Sequence, residues 1–171
     1  MAEGYPNPIV LDATVLTNFA SADSIDFLVE AFESPVVVSA VRDEINRGNR
    51  LGYDYLETIA DSFGDQLPII DVDRSAESSE IRDRLDAGEA ESLLAVIERD
   101  GTLATDDLAA RRVADERTIP VVGSVGLLVL GVEQGRIDEA TADGWLETWR
   151  NERGYYAPVE SVSDVLDDDQ R

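Results

Sequence analysis

Apolar residues in this chain recur in two patterns. Four short runs read as strands, PIVL (8–11), SPVVVS (34–39), TLAT (102–105) and IPVVG (119–123), and LPIID (67–71) reads as a fifth. They are β-branched and do not alternate with polar residues, as befits strands of a parallel sheet buried on both faces. Between them, helical spacing of apolar residues predicts helices over 22–32, 40–48, 52–63, 76–86, 89–99, 107–116 and 124–134. Strand and helix alternate almost throughout. That order predicts an α/β fold, a three-layer α/β/α arrangement with right-handed crossovers and a central parallel sheet of about five strands.

Beyond Gly135 the texture changes. Trp145, Leu146 and Trp149 stand at helical spacing and predict one helix packed onto the domain, its aromatic pair filling core, and VESVSDVL predicts a short second one. The tail DDDQR is expected to fray. No repeat or low-complexity linker divides the chain. The expectation is a single domain over 1–171, with a core at about 8–137 and a helical extension at 138–168.

Composition then narrows the chemistry. The 171 residues include no Cys, no His and no Lys, and all 14 basic residues are Arg. Thiolate nucleophiles, imidazole catalysis, zinc–cysteine sites, Schiff bases and the P-loop lysine are therefore excluded. An enzyme built from this alphabet works with carboxylates, hydroxyls, backbone groups and a hard metal ion. The N-terminus MAEGYPNP shows no secretory pattern and no apolar run approaches a membrane span, so a cytoplasmic address without membrane contact is expected. The formal charge is −23. Such a surface repels itself and nucleic acid until salt screens it, which at about 1 M shortens the Debye length to about 3 Å and suits a salt-loving cell. Most acids here are read as solvated halophilic surface.

A few acids fall where that reading is insufficient. Ligands of open α/β sheets bind beyond the carboxyl ends of the strands. Asp12 directly follows the run at 9–11, and Asp106 and Asp107 directly follow TLAT. Glu44 lies in SAVRDEI after VVVS, and Glu89 and Glu91 open a helix in LDAGEAESLLAV. Singly, each has an ordinary explanation: Asp106 or Asp107 as a helix N-cap, Glu89 and Glu91 as complements to a helix dipole, Glu44 as surface. Jointly, they place four acidic elements where the loops converge, with no Lys to neutralise them. Clustered carboxylates repel one another unless they share protons or bind a cation. Oxygen-only ligation suits Mg²⁺ or Mn²⁺, which activate water and clamp phosphodiester oxygens.

The ordered set IVLDATVLTNFA, SAVRDEI, LDAGEAESLLAV and TLATDDLAARRVADERTIPVVGSVGLLVLGVEQGRI resembles the PIN-domain nucleases over roughly residues 8 to 137. It looks most like the prokaryotic branch with a G-E-A-E helix start, many of whose members are toxin-like ribonucleases of VapBC-type pairs. The resemblance implies a PIN-like fold and metal-dependent RNA hydrolysis by acids at Asp12, Glu44, the Glu89/Glu91 element and the Asp106/Asp107 element, with Glu89 favoured by its spacing to Thr105. Thr14 and Asn18 match the family's polar positions after the first acid. It also implies a small antitoxin partner and a homodimer. An inactive PIN-like module is the alternative.

A haloacid-dehalogenase-type phosphatase would need a second acid at position 14, which is Thr, and normally a Lys; a receiver domain fails on the same missing Lys. A polyanionic substrate can be held only by Arg. Arg42, Arg47 and Arg50 around RDEINRGNR, and Arg111 and Arg112 after TDDLAA, are the candidate RNA contacts.

Overall fold

The structure, a computed structural model, describes residues 4–73 and 79–169. Five strands form one parallel sheet: β1 (Ile9–Leu11), β2 (Pro35–Val38), β3 (Ile69–Ile70), β4 (Thr102–Ala104) and β5 (Val121–Val122), in the order β3-β2-β1-β4-β5. Its helices are α1 (Ala13–Ser21), α2 (Ile25–Ala31), α3 (Ser39–Arg50), α4 (Glu57–Ser62), α5 (Ser79–Arg84), α6 (Ala87–Arg99), α7 (Leu108–Glu116), α8 (Ser124–Glu133), α9 (Glu139–Arg153) and α10 (Val162–Asp169). The architecture is the expected three-layer α/β/α arrangement. In one helical layer α6 packs against β1, β2 and β4, with α3 and α7 beside it; in the other α9 packs on both α1 and α8.

The three central strands β1, β2 and β4 are buried along their whole length, so their backbone groups are paired within the sheet, while the edge strand β3 is half-buried. Ile9 lies opposite Pro35 of β2 and Thr102 of β4, and Leu11 lies opposite Ala104. Chain order reverses its direction across the sheet at β1 and β4, so the crevice beyond their carboxyl ends is the topological switch point.

Several boundaries differ from the sequence reading. The segment after Asp12 is a helix, α1, where none was expected; its Val15, Leu16 and Phe19 are buried. The helix read over 22–32 begins only at Ile25, because Asp23 adopts a left-handed conformation and breaks the chain from α1. The span 52–63 splits into a 3₁₀ turn at Asp54–Leu56 followed by α4. The strand expected at 67–71 shrinks to Ile69–Ile70 on the sheet edge, Leu67 being taken into a bridge with Phe63. Of the helix expected over 76–86, α5 covers Ser79–Arg84, while 76–78 lie outside the described residues. The helix α10 runs through Asp169, so the start of the tail expected to fray is helical, and 170–171 lie outside the described residues.

The aromatic pair of α9 does fill core. Trp149 is fully buried, with its ring edge-on to Phe19 at 5.0 Å and to Tyr155 at 5.6 Å. Trp145 packs on Phe27 at 5.5 Å. Phe19 belongs to α1, the helix that starts beside Asp12, so α9 is fastened to the element that positions the first acid. Trp149→Ala should cost about 3–5 kcal/mol, the usual result of emptying a buried indole site, and a shifted urea midpoint with an unchanged slope would report it.

Candidate active site

The first acid is set by backbone pairing. The Asp12 amide donates to the Ala104 carbonyl at 2.9 Å, continuing the β1–β4 ladder one residue past the strand. Its side chain is only 2% exposed, and its Oδ2 accepts hydrogen bonds from the Thr105 hydroxyl at 2.7 Å and the Thr14 hydroxyl at 3.2 Å. Burial pushes the Asp12 carboxyl above the ordinary aspartate range, and the hydroxyls of Thr105 and Thr14 and the nearby backbone only partly offset it. Thr14 and Thr105 in turn accept the amides of Asp106 at 3.0 Å and Asp107 at 3.1 Å. Two hydroxyls thus join both loops to one carboxylate.

Asp106 and Asp107 have separate tasks. Asp106 accepts from the Ser124 amide at 2.8 Å, the Ser124 hydroxyl, the Asn18 amide group at 3.1 Å and, at 3.4 Å, the Tyr155 hydroxyl. Burial, then the Asp106 charge, hold the Tyr155 phenol far above its usual range. Asp107 caps α7, its Oδ1 accepting the Ala110 amide at 2.8 Å. The Asn18 side chain is buried, and its Oδ1 accepts from Arg153 Nε at 3.1 Å. Arg153 also donates to the Tyr55 hydroxyl at 2.6 Å and lies over that ring.

The third acidic element resolves into unlike residues. Glu89 forms a capping box at the start of α6: Asp86 Oδ1 accepts the Glu89 amide at 2.9 Å and Glu89 Oε2 accepts the Asp86 amide at 3.2 Å. Burial first, then the charge of Asp86 and contact with Asp107, push Glu89 up to about 8. Glu91 projects from a different side of α6 and lines a cavity with Glu44 and Asp86. It is 9% exposed, accepts the Ala40 amide at the start of α3 at 3.2 Å and stands 4.0 Å from Arg82. Glu44, on α3, is raised by burial and then by the charges of Asp86 and Asp12.

Asp86 is the acid the sequence reading missed. It influences Asp12, Glu44 and Glu89 alike. The pattern Asp86-Ala-Gly-Glu89 was visible as a helix-start signature. Extending the preceding helix to residue 86 hid it. Ser124, Tyr155 and Arg153 were missed as well, because their contacts with Asp106 and Asn18 join distant parts of the chain.

The candidate RNA-contacting arginines are scattered. Arg111 donates to the Thr105 carbonyl at 3.0 Å and so sits beside the acids. Arg47 lines a cavity with Glu44, Asp86 and Glu91. Arg42 pairs with its neighbour Asp43 at 3.0 Å, while Arg50 and Arg112 are exposed.

Among the described residues, no three acids stand in ready-made metal-ligand geometry. The donor chemistry nevertheless fits a hard divalent cation: the ligand atoms available are oxygens, and three carboxyls, Asp12, Glu44 and Glu89, are disfavoured as anions where they stand.

A family profile described as a PIN domain matches residues 8–170. The chain belongs to the PIN-domain family. PIN domains are generally nucleases that bind nucleic acid and use divalent metals. The match extends through α9 and α10, beyond the span of roughly 8 to 137 that carried the sequence resemblance. No curated protein matches the chain. Among the described residues no helix is long and apolar enough to cross a membrane.

The raised carboxyls of this PIN domain predict an inverted pH dependence. Glu89 titrates near 8 when folded and near 4.3 when unfolded, so between those values the folded chain holds more protons and stability falls as pH rises. This contribution is complete below about 4.3 and lost on passing about 8. In chelator, the melting temperature should decline from pH 5 to pH 8, and Glu89→Gln should flatten that decline.

Proposed function

We propose that this protein is a metal-dependent endoribonuclease that hydrolyses RNA phosphodiester bonds, the toxin component of a toxin–antitoxin pair in a salt-loving cell. The observation that carries the reading is that Asp12, Glu44 and Glu89 stand at the switch-point crevice within the reach of the Asp86 charge, where burial and like-charge repulsion disfavour their charged forms. Asp12, Glu44, Glu89 and Asp107, joined by Asp86, would hold Mg²⁺ or Mn²⁺. Such an ion supplies an activated water and neutralises charge on the phosphate oxygens.

The chain's own residues prepare the site. Thr14 and Thr105 fix the Asp12 carboxylate in place. Asp106 is committed to Ser124, Asn18 and Tyr155, and it ties α1, α8 and the segment after α9 into one frame. Glu91 anchors α6 to the start of α3. These two are support for the cluster. Arg111 is the base best placed to meet a phosphate, with Arg47, Arg50 and Arg112 as further candidate contacts. A small antitoxin offering a basic side chain to the same crevice, a homodimer and a cytoplasmic location complete the proposal.

A second reading has its own observation. The separation of the acids, with no three in ligand geometry among the described residues, favours a catalytically inactive PIN-like module. One experiment separates the two. The purified chain in about 1 M salt, where self-repulsion is screened, should cut single-stranded RNA with Mn²⁺ and stop with a chelator. Cleavage that persists in chelator would refute the metal mechanism, and none under any metal would favour the inactive module.

Asp12→Asn should abolish cleavage. It keeps a side-chain oxygen to accept from Thr105 and removes a charge that burial disfavours, so the chelated variant should melt at an equal or higher temperature than the parent. The gain in melting temperature on adding Mn²⁺ should shrink, because that gain follows ligand affinity.

A further inference from the structure

The crevice continues past the acids. Leu108, Tyr155 and Tyr156 form a ridge with Asp106, and this ridge has a cavity on either side. The first, of about 560 Å³, is lined by Thr14, Asn18, Glu44 and Arg153 and so borders the acids through Glu44. The second, of about 520 Å³, is floored by Val121, Val122 and Val125, walled by Pro158 and entered past Arg111. None of the acids assigned to catalysis lines this second cavity.

Two features of the ridge lack a folding rationale. Tyr156 is 90% exposed and Leu108 is 77% exposed, although both line a cavity with Glu44 and Asp106. Tyr155, one residue earlier, is by contrast anchored by its hydroxyl to Asp106 and by its ring to Trp149. The backbone beneath Tyr156 is therefore held while its ring is presented outward. Arg111 lines the second cavity, its Nη1 against the Thr105 carbonyl and, among the described residues, in no ion pair. Gly123 makes room for it: a Cβ there would come within 2.8 Å of Arg111 Nη1 and 2.9 Å of Asp106 Oδ1.

A chain of net charge −23 cannot gather RNA by its overall field. Salt high enough to screen that repulsion also removes most of the counterion-release contribution to binding. What remains is local: one cation to meet a phosphate and a flat aromatic surface to meet a base, a combination that binds single strands without requiring a particular sequence.

We propose that the second cavity is a nucleotide subsite, in which Tyr156 and Leu108 receive the base of an unpaired nucleotide next to the scissile phosphate and Arg111 meets its backbone. The subsite rests on the nuclease reading of the adjoining acids. It makes the substrate a single strand, because a base held in a duplex cannot reach the ring.

The test is binding of a 12-nucleotide single-stranded RNA with one 2-aminopurine to the full chain in chelator, where no cleavage is needed. The 2-aminopurine fluorescence should be quenched. Affinity should hold or rise between about 0.1 and about 1 M salt, since the repulsion is screened while stacking is not. Tyr156→Ala should weaken binding about tenfold and Tyr156→Trp should restore it, with melting temperatures unchanged because the side chain is exposed. Equal affinity of Tyr156→Ala and the parent, equal affinity for a strand abasic at the probe position, tighter binding of the matching duplex, or no binding by the parent would each overturn the subsite. A chain that binds through Tyr156 but does not cut with Mn²⁺ supports the subsite and refutes the nuclease. One that cuts equally well with and without the Tyr156 ring does the reverse.

Discussion

A carboxylate sealed from water and given hydroxyls for company is the constraint on which the rest of this molecule turns. Asp12 is placed by the ladder between β1 and β4, and its Oδ2 is satisfied by Thr105 and Thr14. Neither hydroxyl brings a positive charge, so the anion remains costly. The surrounding structure extends the strain instead of relieving it: Glu44, Asp86 and Glu89 gather at the same crevice, and Arg153, the base nearest Asn18, is spent on Asn18 and Tyr55. Structural proteins rarely accumulate uncompensated carboxylates in this way, and functional sites often do.

Much of the fold was legible because each strand is a short, non-alternating apolar run, a texture that only a doubly covered parallel sheet accepts. What could not be read was local competition. ATVLTNFAS has too many small and β-branched residues to signal a helix by propensity, yet it becomes α1 because Val15, Leu16 and Phe19 are buried in the core. The edge strand β3 was overdrawn because an apolar run does not say which of its residues will be taken by a turn, as Leu67 is.

The site was legible to the extent that it depends on strand ends. Asp12, Thr105, Asp106 and Asp107 follow strands directly, and their placement needed only the topology. Glu89 and Glu91 could not be told apart, since two residues on a helix separate them by more than half a turn and only packing decides which faces the crevice. Asp86 was hidden by a boundary: a helix drawn two residues too long absorbs the cap of the next. Arg153 and Tyr155 lay outside the reach of any local signal, as their partners Asn18 and Asp106 come from the other end of the chain or from its middle.

That last distance bears on synthesis. The bond from Thr105 to Asp12 spans 93 positions and the one from Arg153 to Asn18 spans 135. At about 5–20 residues per second, a translating ribosome leaves β1 and its carboxylate waiting several seconds before β4 emerges, and longer before α9 can clasp α1. Throughout that interval Asp12 is an ordinary hydrated aspartate with no crevice around it. The acids from Asp12 to Asp107 can come together only after β4 and the start of α7 have emerged, and the clasp of α9 on α1 closes later still.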